Sequence, residues 1–160
     1  MAKNIPLSTI GVKVSYAKET ASGTRPTAGY KVIKGLFSTP DFNVAPNTAD
    51  VTSFDNVEYT SKIALLKEMP DTIEFGARFG QQFADDWNAL MTEYSTAQNS
   101  KLEIWFCIDI PGYDKSIYFT GRPIKMGLPA LEQNSAIDTT VYVAPTSEPV
   151  YEADPEYANA

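Results

Sequence analysis

Histidine is absent from this 160-residue chain. Without it there is no Ser-His-Asp or Cys-His pair, and the side chain that most often shuttles protons near neutral pH is missing. There is one cysteine, Cys107. It has no partner for an internal disulfide, which points to synthesis in a reducing cytoplasm. A zinc site would have to be built from that thiol and carboxylates, an unfavourable donor set. No apolar run approaches the roughly 18 residues of a membrane-spanning helix. The opening MAKNIPLSTIGVKV has no continuous apolar core and does not read as a secretory signal. A Gly-rich phosphate loop is missing as well, since Gly76 and Gly80 belong to a strand and its exit. An excess of basic residues, the usual footprint of a nucleic-acid binder, is not there either: the net charge is −7. Four acids, Glu148, Glu152, Asp154 and Glu156, give the last 13 residues −4, so residues 1–147 carry only −3.

What the chain does have is apolar and aromatic content suited to a packed core, at 43% and 12%. The length fits one domain. From Asp71 to Phe79 the residues alternate: Ile73, Phe75, Ala77 and Phe79 fall on one side, and Thr72, Glu74, Gly76 and Arg78 on the other. Period two over that span predicts a half-buried strand. The period then changes. Phe83, Trp87, Leu90, Met91 and Tyr94 share one face of a helix over about residues 81–98, with Asp85 and Asp86 assigned to its first turn. Lys101–Asp109 reads as a strand covered on both faces, with Leu102, Ile104, Phe106 and Ile108 opposite Trp105 and Cys107. IPGYDK (110–115) is a turn. Ile117 and Phe119 continue the sheet to Arg122, and Pro123 marks an edge or bend. Residues 134–143 form a last strand with Ile137, Thr139, Val141 and Val143 on one face and Tyr142 on the other.

Upstream, Ile10, Val12, Val14 and Tyr16 alternate as a first strand after an irregular lead over residues 1–9. KETASGTRPTAG (18–29) is a loop, and Tyr30–Ser38 is a second strand. Residues 39–70 are punctuated by Pro40, Pro46 and Pro70, with a short strand expected near Val51 and Phe54. Seven acids lie between Asp41 and Glu74, against Lys62 and Lys67 only. So long a connection is uncommon in a compact domain and usually has a task. Residues 148–160 read as a loosely held acidic tail. The fold class is therefore mainly β (α+β), an antiparallel β-sandwich or barrel with one packed helix and a long protruding loop. Phe75, Phe83, Trp87, Leu90, Ile104 and Phe106 are its expected core.

The segments TIEFGARFGQQFADDWNALMTEY (72–94), LEIWFCIDIPGYDKSIYFTGRPIKMGLPA (102–130) and IDTTVYVAPTSEPV (137–150) carry a resemblance. In order and spacing, and in the final strand that ends in a Pro-Thr-x-Glu-Pro run, they resemble the tail tube (major tail) proteins of long-tailed bacteriophages. The likeness extends from about the first strand to Pro149. It implies a non-enzymatic virion protein, made in the host bacterial cytoplasm, with no cofactor and no metal. Six protomers would close into a ring whose sheets join edge to edge into an inner barrel. Rings would stack into a hollow tube that conducts genomic DNA without binding it specifically, as an acidic lumen favours. The type VI secretion tube protein shares that architecture. Partners would be further copies of the chain and the tail terminator, tape-measure and tail-tip proteins, with no membrane. The likeness assigns the long loop, 43–70, to contacts between rings. Phe54, Val57, Tyr59, Ile63, Leu65 and Leu66 would make them. It also implies a short, single-domain version within residues 1–147, without the immunoglobulin-like domain that some relatives append.

The residues themselves leave an alternative, a monomeric sandwich that binds a ligand or carbohydrate through Tyr30, Tyr59, Tyr94, Tyr113 and Tyr118. Asp109 and Asp114 flank the 110–115 turn, where turn chemistry accounts for them better than a weak calcium site does. Lys31, Lys34, Arg78, Arg122 and Lys125 are scattered over strand faces. They are expected either in solvent or, on the tube reading, paired with acids of a neighbouring subunit.

Overall fold

The computed structural model describes residues 6–55 and 57–159. The first five residues of the expected irregular lead, together with Asn56, lie outside that set. The chain divides into two compact units, one built from residues 1–40 and 71–160 and the other from Asp41–Pro70.

The larger unit is one sheet curled around a single helix, which agrees with the mainly β reading. Its strands are β1 (Lys13–Lys18), β2 (Tyr30–Val32), β3 (Leu36–Ser38), β6 (Ile73–Arg78), β7 (Ile104–Asp109), β8 (Ser116–Pro123), β9 (Asp138–Pro145), β10 (Val150–Glu152) and β11 (Tyr157–Asn159). The order across the sheet is β11-β2-β1-β7-β8-β9-β6-β3, with β10 beside β8. All these pairs are antiparallel except β11 with β2.

Two long runs make the curl. Residues 30–38 hydrogen-bond first to β1, through Ile33 N–H to the Val14 carbonyl (2.9 Å), and then to β6, through Arg78 N–H to the Gly35 carbonyl (2.8 Å). One stretch of chain thus ties the two ends of the sheet together. The change of direction falls at Gly35 (φ +95°), where an added Cβ would stand 3.2 Å from Phe83 Cβ. Only glycine fits that dihedral without strain while lying against the helix. The second run is β9 to β10. It pairs with β6 through Asp138–Val143, shifts to β8 at Val143–Pro145, and rejoins β8 at Val150. Across the break, where two prolines lack N–H groups, hydroxyls replace the ladder: Thr120 N–H donates to Ser147 Oγ (2.9 Å), and Thr146 Oγ1 donates to Thr120 Oγ1 (2.7 Å). The Pro-Thr-Ser-Glu-Pro run is the hinge of this corner.

The helix α1 spans Gln81–Asn99. It starts after Gly80, in extended conformation, and closes with Lys101 N–H to the Gln98 carbonyl (3.2 Å) and Leu102 N–H to the Ala97 carbonyl (2.8 Å). That is a Schellman closure with Lys101 in the left-handed region (φ 56°), where glycine is the commoner choice. Asp85 and Asp86 are the fifth and sixth helical residues, so the first turn carries no acid. Their role is local. Gln81 Nε2 donates to Asp85 (2.8 Å), Gln82 Nε2 to Asp86 (3.0 Å), and Lys34 N–H to Asp86 (3.0 Å), which pins the helix to the bridging run.

Phe83, Trp87, Leu90 and Ala97 face inward and are fully buried. Phe75, Ile104, Phe106 and Phe119 of the sheet are fully buried as well. Phe106 and Phe119 stack at 5.4 Å across β7 and β8. A second, smaller cluster occupies the other face of the same strands: Ala17, Tyr30, Cys107 and Tyr118, with Trp105, Val150 and Tyr157 packed on it. Both faces of β7 are therefore covered, as its uninterrupted apolar run requires.

Three further expectations for the larger unit need correction. The first strand begins at Lys13, and Ile10 is exposed. Val14–Ala17 are buried on both faces, so the alternation from Ile10 to Tyr16 does not mark the boundary. Tyr30–Ser38 is two strands with different partners. The terminal segment is not loosely held. β10 pairs with β8 and β11 with β2, Ser116 Oγ donates to Asp154 (2.7 Å), and Tyr157 Oη donates to Asp109 (2.8 Å). Pro155 is buried while Glu148, Glu152, Asp154 and Glu156 face solvent. Strands of three residues are too short to show a period, and the acids dominate the composition.

The smaller unit, Asp41–Pro70, contains a hairpin, β4 (Thr48–Asp50) with β5 (Lys62–Ala64), in the register Ala49 opposite Ile63. Val51 adjoins β4, and its N–H reaches the Ser61 carbonyl (2.8 Å). Phe54 lies in the turn beyond. The expected strand near Val51 and Phe54 therefore sits a few residues upstream. No residue of the hairpin is fully buried, so no alternation could mark it.

Burial pushes the Cys107 thiol up to about 11 and the Tyr30 phenol up to about 12, because each charged form would sit among apolar groups. In the folded chain both keep protons that the unfolded chain releases. The unfolded state then binds fewer protons, so stability is full below the ordinary thiol value of 9 and falls as pH rises through about 11 to 12. The melting temperature is expected to decline over that window. At about pH 8 a thiol reagent is expected to label Cys107 only in denaturant; rapid labelling of the folded chain would place the thiol at an accessible surface.

Candidate functional site

The sequence-predicted contact residues all lie in the Asp41–Pro70 unit. Ile63 is on β5, Leu65 and Leu66 follow it, and Phe54, Val57 and Tyr59 lie in the connection between β4 and β5. Leu65 N–H donates to the Asn47 carbonyl (2.5 Å) and Asn47 N–H to the Leu66 carbonyl (3.4 Å), so the hairpin ladder extends past β5. All six side chains are exposed: Phe54, Val57 and Leu66 almost wholly, Tyr59 at 79%, and Ile63 and Leu65 at 49%. Isolated apolar side chains on a surface need no explanation, but here six fall within 13 residues of the chain.

The connection is shaped by short polar side chains. Thr52 N–H donates to Asp50 Oδ1 (2.9 Å), and so does the Thr52 hydroxyl (2.5 Å), while Ser61 N–H donates to Thr52 Oγ1 (2.7 Å). Ser53 Oγ donates to Asp55. The hydroxyl bonds hold both carboxyls, Asp50 and Asp55, below the usual range.

The larger unit adds exposed apolar residues that the sequence reading missed. Ile124, Leu128, Leu131 and Ile137 are exposed in the connection from β8 to β9, and Tyr142 is exposed on β9. Apolar residues around the Gly127-Leu128-Pro129 break, where no strand or helix period holds, were the available signal. Tyr142, on the opposite face of β9 from Val141 and Val143, is 41% exposed.

The alternative aromatic surface does not assemble. Tyr30 and Tyr118 are wholly buried and meet edge to face at 5.8 Å inside the second cluster. Arg78 pairs with Asp138 (2.6 Å), Lys31 with Glu93 (2.5 Å), and Arg122 approaches Glu103 (3.9 Å), all within one protomer. These pairs are partly exposed and contribute little stability. Asp109 is engaged by Tyr157. Among the described residues no three His, Cys, Asp or Glu side chains converge on a metal-sized site. A groove of about 420 Å³ runs beside β1 and the bridging run, lined by Val12, Lys13, Val32, Gly35 and Phe37 among others, and brings no acid–base pair together.

No protein-family model matches the chain, and no curated protein matches it. Among solved structures it is similar to a chain in the cryo-EM structure of the anti-feeding prophage (AFP) baseplate, 6-fold symmetrised. The TM-score is 0.58 over 94% of this chain and 98% of that one, at 6% identity. The curled sheet with one helix is thus a known fold, held in common at a level where sequence likeness is gone. No helix among the described residues is long and apolar enough to cross a membrane.

Proposed function

We propose that this chain is a structural subunit of a phage-tail-like particle and, within it, a tail tube protein. Six copies close into a ring, rings stack through the 43–70 segment, and genomic DNA passes through the lumen. The chain does no catalysis. It takes no cofactor, resides in the virion, and meets tail terminator, tape-measure and tail-tip proteins at the ends of the tube. The observation that carries this reading is the near end-to-end likeness to a chain of a six-fold-symmetrised, prophage-derived baseplate. The exposed patch on the 43–70 segment adds a contact surface in search of a partner. A ring generated by heterologous contacts leaves no unpaired edges in its plane, and growth then proceeds only along the axis.

Sedimentation velocity over a concentration series tests it. Boundaries should move from protomer to ring to larger species as concentration rises. A single protomer boundary throughout, unaltered by a tail-tip complex, would contradict the reading.

A further inference from the structure

The segment that composition marked as a loose tail occupies a sheet edge. β11 lies against β2, with Tyr157 opposite Tyr30. Tyr30 N–H donates to the Glu156 carbonyl (3.2 Å), and Glu156 N–H donates to the Thr27 carbonyl (3.2 Å). Without it, residues 27–32 would present open backbone groups, the usual template for pairing with another chain. The other end of the sheet is β3, three residues long and followed by Thr39 and Pro40, a poor template because proline has no N–H to offer.

β11 differs from the rest of the sheet. It makes the only parallel pair among the described residues, it is three residues long, and its register is irregular. Besides that backbone pairing, Tyr157 alone holds it by its side chain: the ring packs on the second cluster with the Lys13 ammonium 4.9 Å from its centroid, and the hydroxyl bonds Asp109. Upstream, β10 is anchored separately along β8 in regular antiparallel register. Residues 156–159 can therefore leave β2 while β10, the Ser116–Asp154 bond and buried Pro155 stay in place.

We propose that residues 156–159 are a self-cap: in the free protomer they cover the β2 edge, and in the assembly a strand from a second copy of the chain takes their place. This rests on the ring reading above and adds a reason for the terminal segment to exist. The cap keeps the sheet from extending at low concentration. A neighbour whose contacts exceed the few bonds of β11 displaces it.

The test compares the full chain with a variant ending at Pro155 and with Ala158→Pro, which disrupts strand pairing but keeps Tyr157. Thermal melts confirm that each is folded. Light scattering gives the threshold concentration for assembly, and hydrogen exchange follows the amides of residues 30–32 and 157–159. Removing a competitor that holds an edge by two or three hydrogen bonds is expected to lower the threshold roughly tenfold or more. A synthetic peptide of residues 150–160, added in trans, should raise it again. In assembled full-length protein, amides 157–159 should exchange fast while 30–32 stay protected. The cap is overturned if amides 157–159 stay protected in full-length rings, an outcome that leaves the ring reading intact. It is equally overturned if either folded variant shows an unchanged or raised threshold, or remains a monomer with fast exchange at 30–32. Open-ended fibres growing from 30–32 in the variants, with no closed ring in any sample, would support the cap and refute the ring.

Discussion

Trp87→Ala is expected to destabilise the larger unit by about 3–5 kcal/mol, the cost of deleting a large aromatic side chain from a closed core. Trp87 is 1% exposed, stacks with Phe83 at 6.1 Å, and donates its indole N–H to the Ile124 carbonyl (3.2 Å). The substitution empties the space between helix and sheet and leaves that carbonyl without its donor. Little around it can move to refill the space, because Phe83 is pinned beside Gly35. Trp87→Phe keeps most of the volume and loses the hydrogen bond, so about 1–2 kcal/mol is expected. Urea denaturation measures both. An unchanged midpoint for Trp87→Ala would mean that the helix does not pack through this face.

Deleting about residues 50–66 is expected to abolish long tubes while leaving a folded protomer. The fully buried hydrophobic residues lie between Val14 and Ile33 and between Ile73 and Val143, outside the deleted segment. The segment belongs to a compact unit of its own. Phe54→Ser with Leu66→Ser is the gentler test: it leaves the Asp50–Thr52–Ser61 hydrogen bonds in place and removes two of the most exposed apolar side chains. Rings without stacks are expected from either variant. Tubes of normal length would take the axial contact away from this segment.

The parts of the fold that could be read from the sequence are those with a buried face. β6 alternates because Ile73, Phe75 and Ala77 face the core, and α1 shows its period because Phe83, Trp87 and Leu90 do. Gly76 breaks the β6 pattern by being buried too, since β3 lies against it: Gly76 N–H donates to Ser38 Oγ (3.0 Å). The missed elements are short or unburied. β4 and β5 have no interior face, and β10 and β11 are three residues each, held by Tyr157, Pro155 and backbone pairing. The bend at Gly35 was hidden because a glycine inside a strand pattern marks a bulge or a close approach without saying which partner comes next. The candidate contact residues were legible as a run of apolar side chains in a segment with no period. The exposed Ile124, Leu128 and Leu131 carry the same signal, in a connection with no strand or helix period.

Negative-stain electron microscopy of the purified chain across a concentration series tests the central claim most directly. Six-fold rings with a central hole, and hollow tubes that lengthen with concentration, are the predicted result. Featureless protomer-sized particles at every concentration, persisting after a tail-tip initiator complex is added, would contradict it.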